Sequence, residues 1–370
     1  MVAEIASRSR QQGLDALRAA LTLLVVFHHC ALTYGAIGDW YYREVPTDGR
    51  LQIRLLVFFC AVNQAFFMGL FFLLAGAFTP GAVARKGVAG YLRDRALRLG
   101  GPLLVYVALL GPLTIALAQT AHGQQFGGTL WYLWQHGVID VGPLWFALAL
   151  LIFGLAYLPW HGFIGVSRFP SNRAMLAAAL ATGVGAFLLR LVWPVGVTVY
   201  SLQLGYFASY IVLFAAGCAG SASGWLTAIP AAQRRRWRWV ADFTLLVLPL
   251  VVLLAPFFPV LQGSTNGGWN LQALVYAFWE PFLAWGIILA LLGFFTRRFT
   301  TSGPVWSRLT RRAYTIFIIH PPVLVGIALA WRTVPAAPLL KFAVTGTLAC
   351  WACYVIAGLL LRVPAIRRVV

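Results

Sequence analysis

Asp15, Arg18, His28 and His29 all lie within one apolar stretch, Gly13 to Gly35, which reads G-L-D-A-L-R-A-A-L-T-L-L-V-V-F-H-H-C-A-L-T-Y-G. A run of that length can cross a bilayer, which takes about 20 mainly apolar residues. Ionisable groups are expensive inside a span, so they normally face a protein interior or a wet cavity and mark function. Arg18 and His29 are eleven residues apart. At about 100° and 1.5 Å per residue they share one helical face, about 16 Å apart along the axis, while His28 points about 100° away. A cation near one membrane surface and an imidazole deep in the span, on one stripe, imply a polar path across the membrane.

Three further places offer chemistry. Arg95 and Arg98, with Arg93 close by, stand in Tyr91-Leu-Arg-Asp-Arg-Ala-Leu-Arg98. Residues three apart are neighbours on a helix, and guanidinium forks match phosphate oxygens. The plainer reading of these arginines is charge at the membrane surface. Glu280 lies in A-F-W-E-P-F, well inside an apolar stretch. A carboxylate there is costly unless paired, and His29, an arginine and a substrate hydroxyl are all open as partners. His320 precedes Pro321 in R-R-A-Y-T-I-F-I-I-H-P-P. Proline frees a backbone carbonyl, so His320 is expected either to bond such a carbonyl or to line the cytoplasmic entrance of the path.

The elements that carry these residues follow from composition. The chain has 370 residues, 61% hydrophobic and 10% charged, with a mean hydropathy of +0.82. Soluble domains are nearer 45–50% apolar, so the fold class is all-α, a polytopic bundle of about ten transmembrane helices. The spans are expected near 14–36, 55–79, 99–120, 143–161, 173–194, 201–221, 239–259, 271–295, 313–332 and 339–361. With no soluble stretch, linker or repeat, residues 1–370 read as a single integral membrane domain. The first span is too long for a signal h-region and has no small-x-small cleavage site, so it reads as retained.

The net charge of +19 is a topology signal. With the N-terminus in the cytoplasm, 21 of the 28 Lys and Arg fall in cytoplasmic segments, and Arg43, Arg50, Arg54 and Arg332 fall outside. That is a strong positive-inside pattern with both termini cytoplasmic. The charge therefore points to anionic membrane lipids and not to nucleic acid. Cys30, Cys60, Cys218, Cys350 and Cys353 all fall in apolar segments and read as packing residues, with no disulfide framework and no metal site. Gly69 and Gly76 are seven apart and would admit a close helix neighbour. The segment holding Trp131, Tyr132 and Trp134 suits an interfacial aromatic belt or sugar stacking.

Taken together these pieces resemble the acyltransferase-3 family of integral membrane acyltransferases. Members commonly begin with L-D-x-L-R and carry an R/K-x10-H motif in the first span; here these are Leu14-Asp15-Ala-Leu-Arg18 and the Arg18 to His29 spacing. The cytoplasmic R-x-x-R motif is Arg95-Ala-Leu-Arg98, and Phe66 to Gly76, Leu144-Trp145-Phe146 and Tyr314 to Pro322 also look like family sequence. Pro143 replaces a histidine often found before L-W-F, so that position's role is not carried over. No extracytoplasmic hydrolase-like domain is expected after the last span. The chain thus looks closest to stand-alone members such as glucan biosynthesis protein C, which leaves open whether a separate protein completes the transfer.

The resemblance implies transfer of an acyl group from acyl-CoA to a hydroxyl, often on a cell-envelope carbohydrate, in a bacterial inner membrane. Arg95, Arg98 and Arg93 would hold the CoA phosphates, and Arg18 would add charge further in. His29 would act as general base on the acceptor hydroxyl, the usual task of histidine in acyl transfer. Glu280 and His320 are substrate-binding candidates. No permanently bound cofactor is expected; acyl-CoA is a donor substrate. The competing reading is a non-catalytic carrier or exporter of a glycan or lipid-linked substrate, which would use the same intramembrane polar groups.

Overall fold

In the computed structural model the described residues are 2–162, 165, 168–299 and 303–369, with side chains from residue 12 onward. The side chains of Arg8 and Arg10, used above for orientation, lie outside the described residues. Among those residues there is no strand, only an isolated bridge between Val199 and Leu202. Among the described residues, eight helices are long and apolar enough to cross a membrane. One of them, Leu51–His122, runs for 72 residues and holds both the second and the third expected spans. A ninth apolar helix, Leu204–Gly220, is shorter.

The chain groups into two compact units. The first comprises Met1–Leu17, Ala61–Tyr91 and Phe153–Thr301; the second comprises Arg18–Cys60, Leu92–Ile152 and Ser302–Val370. Helices α1 (Val2–Thr33) and α2 (Leu51–Arg95) each contribute to both.

In the first unit, α10 (Leu271–Arg298) packs against α7 (Asn172–Val192) and α9 (Ala231–Leu254). Two of these helices start on side-chain caps: Ser171 accepts from the Ala174 N–H, and Asn270 accepts from the Ala273 N–H. Such caps satisfy backbone donors that have no partner in the first turn. Against α8 (Phe207–Gly220), α2 makes the close approach that Gly76 suggested. A Cβ at Gly76 would stand 2.2 Å from the Phe214 carbonyl oxygen, and one at Gly217 would stand 2.2 Å from that of Leu73. Only glycine on both helices lets the backbones meet so closely. On α9, Phe243, Leu246, Leu250 and Leu253 are exposed at helical spacing, the outward apolar stripe a lipid-facing helix needs.

The connection expected over 80–98 is helical instead. It continues α2 through Pro80 and breaks only at Gly87, whose φ of 67° and ψ of 170° leave the helical region. That ψ at positive φ is accessible essentially to glycine alone. Polar residues along an exposed helix face carry no apolar run, which is why the span pattern leaves this stretch out.

In the second unit, the helix beyond Arg95 widens into a π-helical segment at Ala96–Gly100, passes through α3 (Gly101–Val105) and a second π-helical segment at Tyr106–Leu110, and ends as α4 (Gly111–Gln119). α5 (Phe126–Gln135) packs on α4. It leaves Trp131, Tyr132 and Trp134 exposed, as an interfacial belt would. α6 (Trp145–Tyr157) ends in the first unit. α11 (Pro304–Ala330) and α12 (Pro338–Leu360) pack together, each with proline in its first turn, and the short α13 (Pro364–Val369) follows. Proline is tolerated there because its missing N–H has no helical partner in any case. All five cysteines are free.

Candidate active site

His29 lies on α1 in the second unit, and the helix is unbroken from Arg18 onward. The two residues therefore keep the shared face and the rise of about 16 Å expected of them. Both are half-buried, whereas His28 is buried. The rings of His28 and His29 are 5.7 Å apart and nearly perpendicular, at 89°. Adjacent histidines on one helix thus face different surroundings.

His320 is the partner of His29. Its Nε2 is 2.9 Å from His29 Nδ1, and its Nδ1 is 2.6 Å from the Phe317 carbonyl oxygen. The local sequence explains the second contact. Pro321 has no N–H to offer the carbonyl four residues back, which is that of Phe317. The His320 ring supplies the missing donor. A carbonyl only accepts, so Nδ1 of His320 carries the hydrogen. With both rings neutral, Nε2 of His320 must then accept from Nδ1–H of His29. The lone pair of His29 is left on Nε2, fixed there by its neighbour's hydrogen bond.

The sequence put His320 one or two turns inside the cytoplasmic end of its span, at the entrance of the path. In the structure it stands beside His29, within hydrogen-bond distance. Helix α11 begins at Pro304, nine residues before the expected span, because Arg308, Arg311 and Arg312 are helical and not in a loop. His320 is about 24 Å along that helix from Pro304. The expected bond to a proline-freed carbonyl is present, and it coexists with the contact to His29.

Trp40 closes the other face of His29. The rings are stacked at 4.2 Å and 14°, and Trp40 is also near parallel to His320 at 6.0 Å. Nothing in the sequence pointed to this residue. It belongs to the irregular segment between α1 and α2, whose path is set by several ties. Tyr41 donates to Asp140, and its hydroxyl is 3.0 Å from that of Tyr106. Burial foremost, then the nearby Tyr106 and Asp140, push the Tyr41 phenol well above its usual range, so it remains a donor. Arg43 donates to the Ala36 and Gly38 carbonyls, each at 2.8 Å. Glu44 is paired with Lys341, which also donates to the Arg332 carbonyl at 3.2 Å.

Arg93 and Arg98 are exposed and Arg95 is half-buried. Arg98 lies in the first π-helical segment, a feature common at functional sites. Its Nε is 3.1 Å from Asp94, an exposed pair that is worth little. The Arg98 carbonyl accepts from Tyr314 at 2.8 Å. Tyr314 stands six residues before His320 on α11, so one helix bears both the tie to the arginine segment and the partner of His29. In the second unit the structure therefore brings together His29, His320 and Trp40, and anchors the arginine segment to the helix that carries His320.

Glu280 is elsewhere in the chain's organisation, in the first unit. Of the three partners left open, it has the arginine: Arg190 on α7 donates to it, with both side chains buried.

A family model described as an acyltransferase domain matches residues 11–358. The chain belongs to the acyltransferase-3 family. It is a multi-pass membrane protein and an acyltransferase by family. No curated protein and no solved structure matches it.

Proposed function

We propose that this acyltransferase moves an acyl group from acyl-CoA to a hydroxyl of a cell-envelope carbohydrate or related acceptor, with His29 as general base. The observation that carries this reading is the hydrogen bond from His29 Nδ1 to His320, itself oriented by the Phe317 carbonyl. It directs the basic lone pair to Nε2. In the reaction Nε2 takes the proton from the acceptor O–H while the oxygen attacks the thioester carbonyl. The C–S bond then breaks, and the imidazolium returns the proton to the departing CoA thiolate. The Trp40 face against His29 offers favourable cation–π contact to the imidazolium formed on the way.

Arg95 and Arg98, with Arg93, are assigned to the donor phosphates, because a planar fork of donors suits phosphate. Arg18 lies between them and His29 in this scheme, on the stripe that the pantetheine arm would follow. His320 acts through His29 and is a positioning residue. The proposed setting is a bacterial inner membrane with both termini cytoplasmic, supported by the arginine asymmetry.

The test is acyl transfer by the purified chain in nanodiscs, with labelled acetyl-CoA as donor and cell-envelope glycans as acceptors. Labelled product that disappears in His29→Ala, with acetyl-CoA binding retained, is the expected result. Product formation by His29→Ala at the wild-type rate would remove His29 from the mechanism.

A further inference from the structure

The Arg190–Glu280 pair has spare hydrogen-bonding capacity on both partners. Arg190 is 1% exposed and Glu280 5%. Arg190 Nε donates to the Gly205 carbonyl at 3.0 Å, and Nη2 donates to Glu280 Oε2. The rings of Tyr206 and Tyr276 each lie 5.1 Å from the guanidinium carbon. The Tyr276 hydroxyl also acts on the Glu280 carboxylate, yet Arg190 Nη1 and Glu280 Oε1 are enclosed and make no hydrogen bond of their own. A buried polar group left in that state costs about 1–3 kcal/mol, and more when charged. Both residues stand in apolar helices long enough to cross a membrane, where the cost is not relieved by bulk water.

Both residues line a small cavity together with Gln64, Thr182, Tyr206, Ser209 and Tyr210. Its free space is about 10 Å³, room for one water-sized group. Arg190, Glu280 and Thr182 are buried, whereas Gln64, Tyr206 and Ser209 are half-buried. The ion pair is thus the most enclosed part of the lining, and Gln64, Tyr206 and Ser209 are its less enclosed members.

We infer that this cluster binds one hydroxyl group of an uncharged polyol or saccharide. The chemistry of the two orphan atoms selects that class. An anion attracted to Arg190 would meet the Glu280 carboxylate, and a cation attracted to Glu280 would meet the guanidinium. A hydroxyl accepts from Nη1–H and donates to Oε1 at once, which satisfies both. The cavity admits a single such group, so the remainder of the ligand lies toward Gln64, Tyr206 and Ser209, whose amide, ring and hydroxyl suit further hydroxyls. The proposal rests on the acyltransferase reading only where it names this ligand an acceptor; the binding claim stands on the cluster itself.

The experiment measures binding to the full chain in phosphatidylcholine nanodiscs, in the His29→Ala background so that turnover cannot intervene. Labelled cellobiose is the soluble probe. Nanodiscs containing glucosyl-diacylglycerol present the same hydroxyls from a lipid, with retained lipid read by native mass spectrometry. Ser209→Val fills the cavity without disturbing the ion pair, and Gln64→Leu is read instead where the first variant does not fold. The expected result is saturable binding in one arm, weakened at least about tenfold by the variant, with no competition from sulfate. Absence of saturable binding in both arms would mean that the cavity holds only water. Competition by sulfate would mean an anion site, and an unchanged variant would move the ligand elsewhere. Each of these overturns the inference. The acyltransferase reading fails separately, on activity retained by His29→Ala.

Discussion

The two adjacent histidines of α1 separate a chemical role from a packing role. His29 is half-buried, shares a face with Arg18 and is bonded to His320; His28 is buried and its ring is turned by 89°. His28→Ala is expected to keep substantial activity, or to fail visibly as lost protein. A well-folded His28→Ala without activity would reverse the assignment. His320 makes a second test. His320→Ala leaves the Phe317 carbonyl short of a donor, a loss of about 1–3 kcal/mol, and no longer fixes the proton on His29. Activity should fall by about 10²–10⁴-fold, toward the loss of the base itself. In His320→Gln the amide oxygen can still accept from His29 Nδ1–H, so part of the activity should return. Equal loss in the alanine and glutamine variants, both folded, would point to a steric role instead. The Arg18–His29 relation was legible in the sequence because it depends only on the period of one helix. The His29–His320 bond was not, because it joins residues 291 positions apart and depends on how two helices pack.

At the scale of elements, the segment between α1 and α2 carries Trp40 onto His29 and is held by Tyr41, Asp140, Arg43 and Glu44. Such irregular stretches have no hydrophobic period, so Trp40 carried no signal in the sequence. Asp140→Leu removes the acceptor of the Tyr41 hydroxyl and of the Gly142 N–H. Local stability should drop by about 1–3 kcal/mol, and hydrogen exchange over residues 36–50 should quicken while the helices stay protected. Turnover should fall with it, whereas Asp140→Asn, which keeps one acceptor, should lose less. Unchanged exchange in the leucine variant would show that the tie does not hold this segment. The arginine segment at the end of α2 and in the π-helical turn after it is tested by a double substitution. Arg95→Ala with Arg98→Ala should weaken acetyl-CoA binding more than folding, and lysine should restore only part, since it lacks the bidentate fork. Equal affinity in the wild type and the double alanine variant would rule out the phosphate role.

For the whole molecule, the bundle was legible because span hydropathy is a local property. Exposed polar helix lacks an apolar run and looks like connection in the sequence, as across Gly87 and before Ala313. Glu280 could be recognised as needing a partner, but Arg190 lies 90 residues away and only packing brings the two together. Orientation rests on arginine placement. Reporter fusions at Gln125 and Asn266 should read outside and one at Arg235 inside; an outside signal at Arg235 would invert the topology and with it the side from which acyl-CoA arrives. Single-turnover acyl transfer from labelled acetyl-CoA in nanodiscs reads out whether the chain itself transfers an acyl group with His29 as base. The wild type should give labelled glycan, and His29→Ala a rate about 10²–10⁴-fold lower with acetyl-CoA still bound. A His29→Ala protein that transfers the label as fast as the wild type would contradict that role.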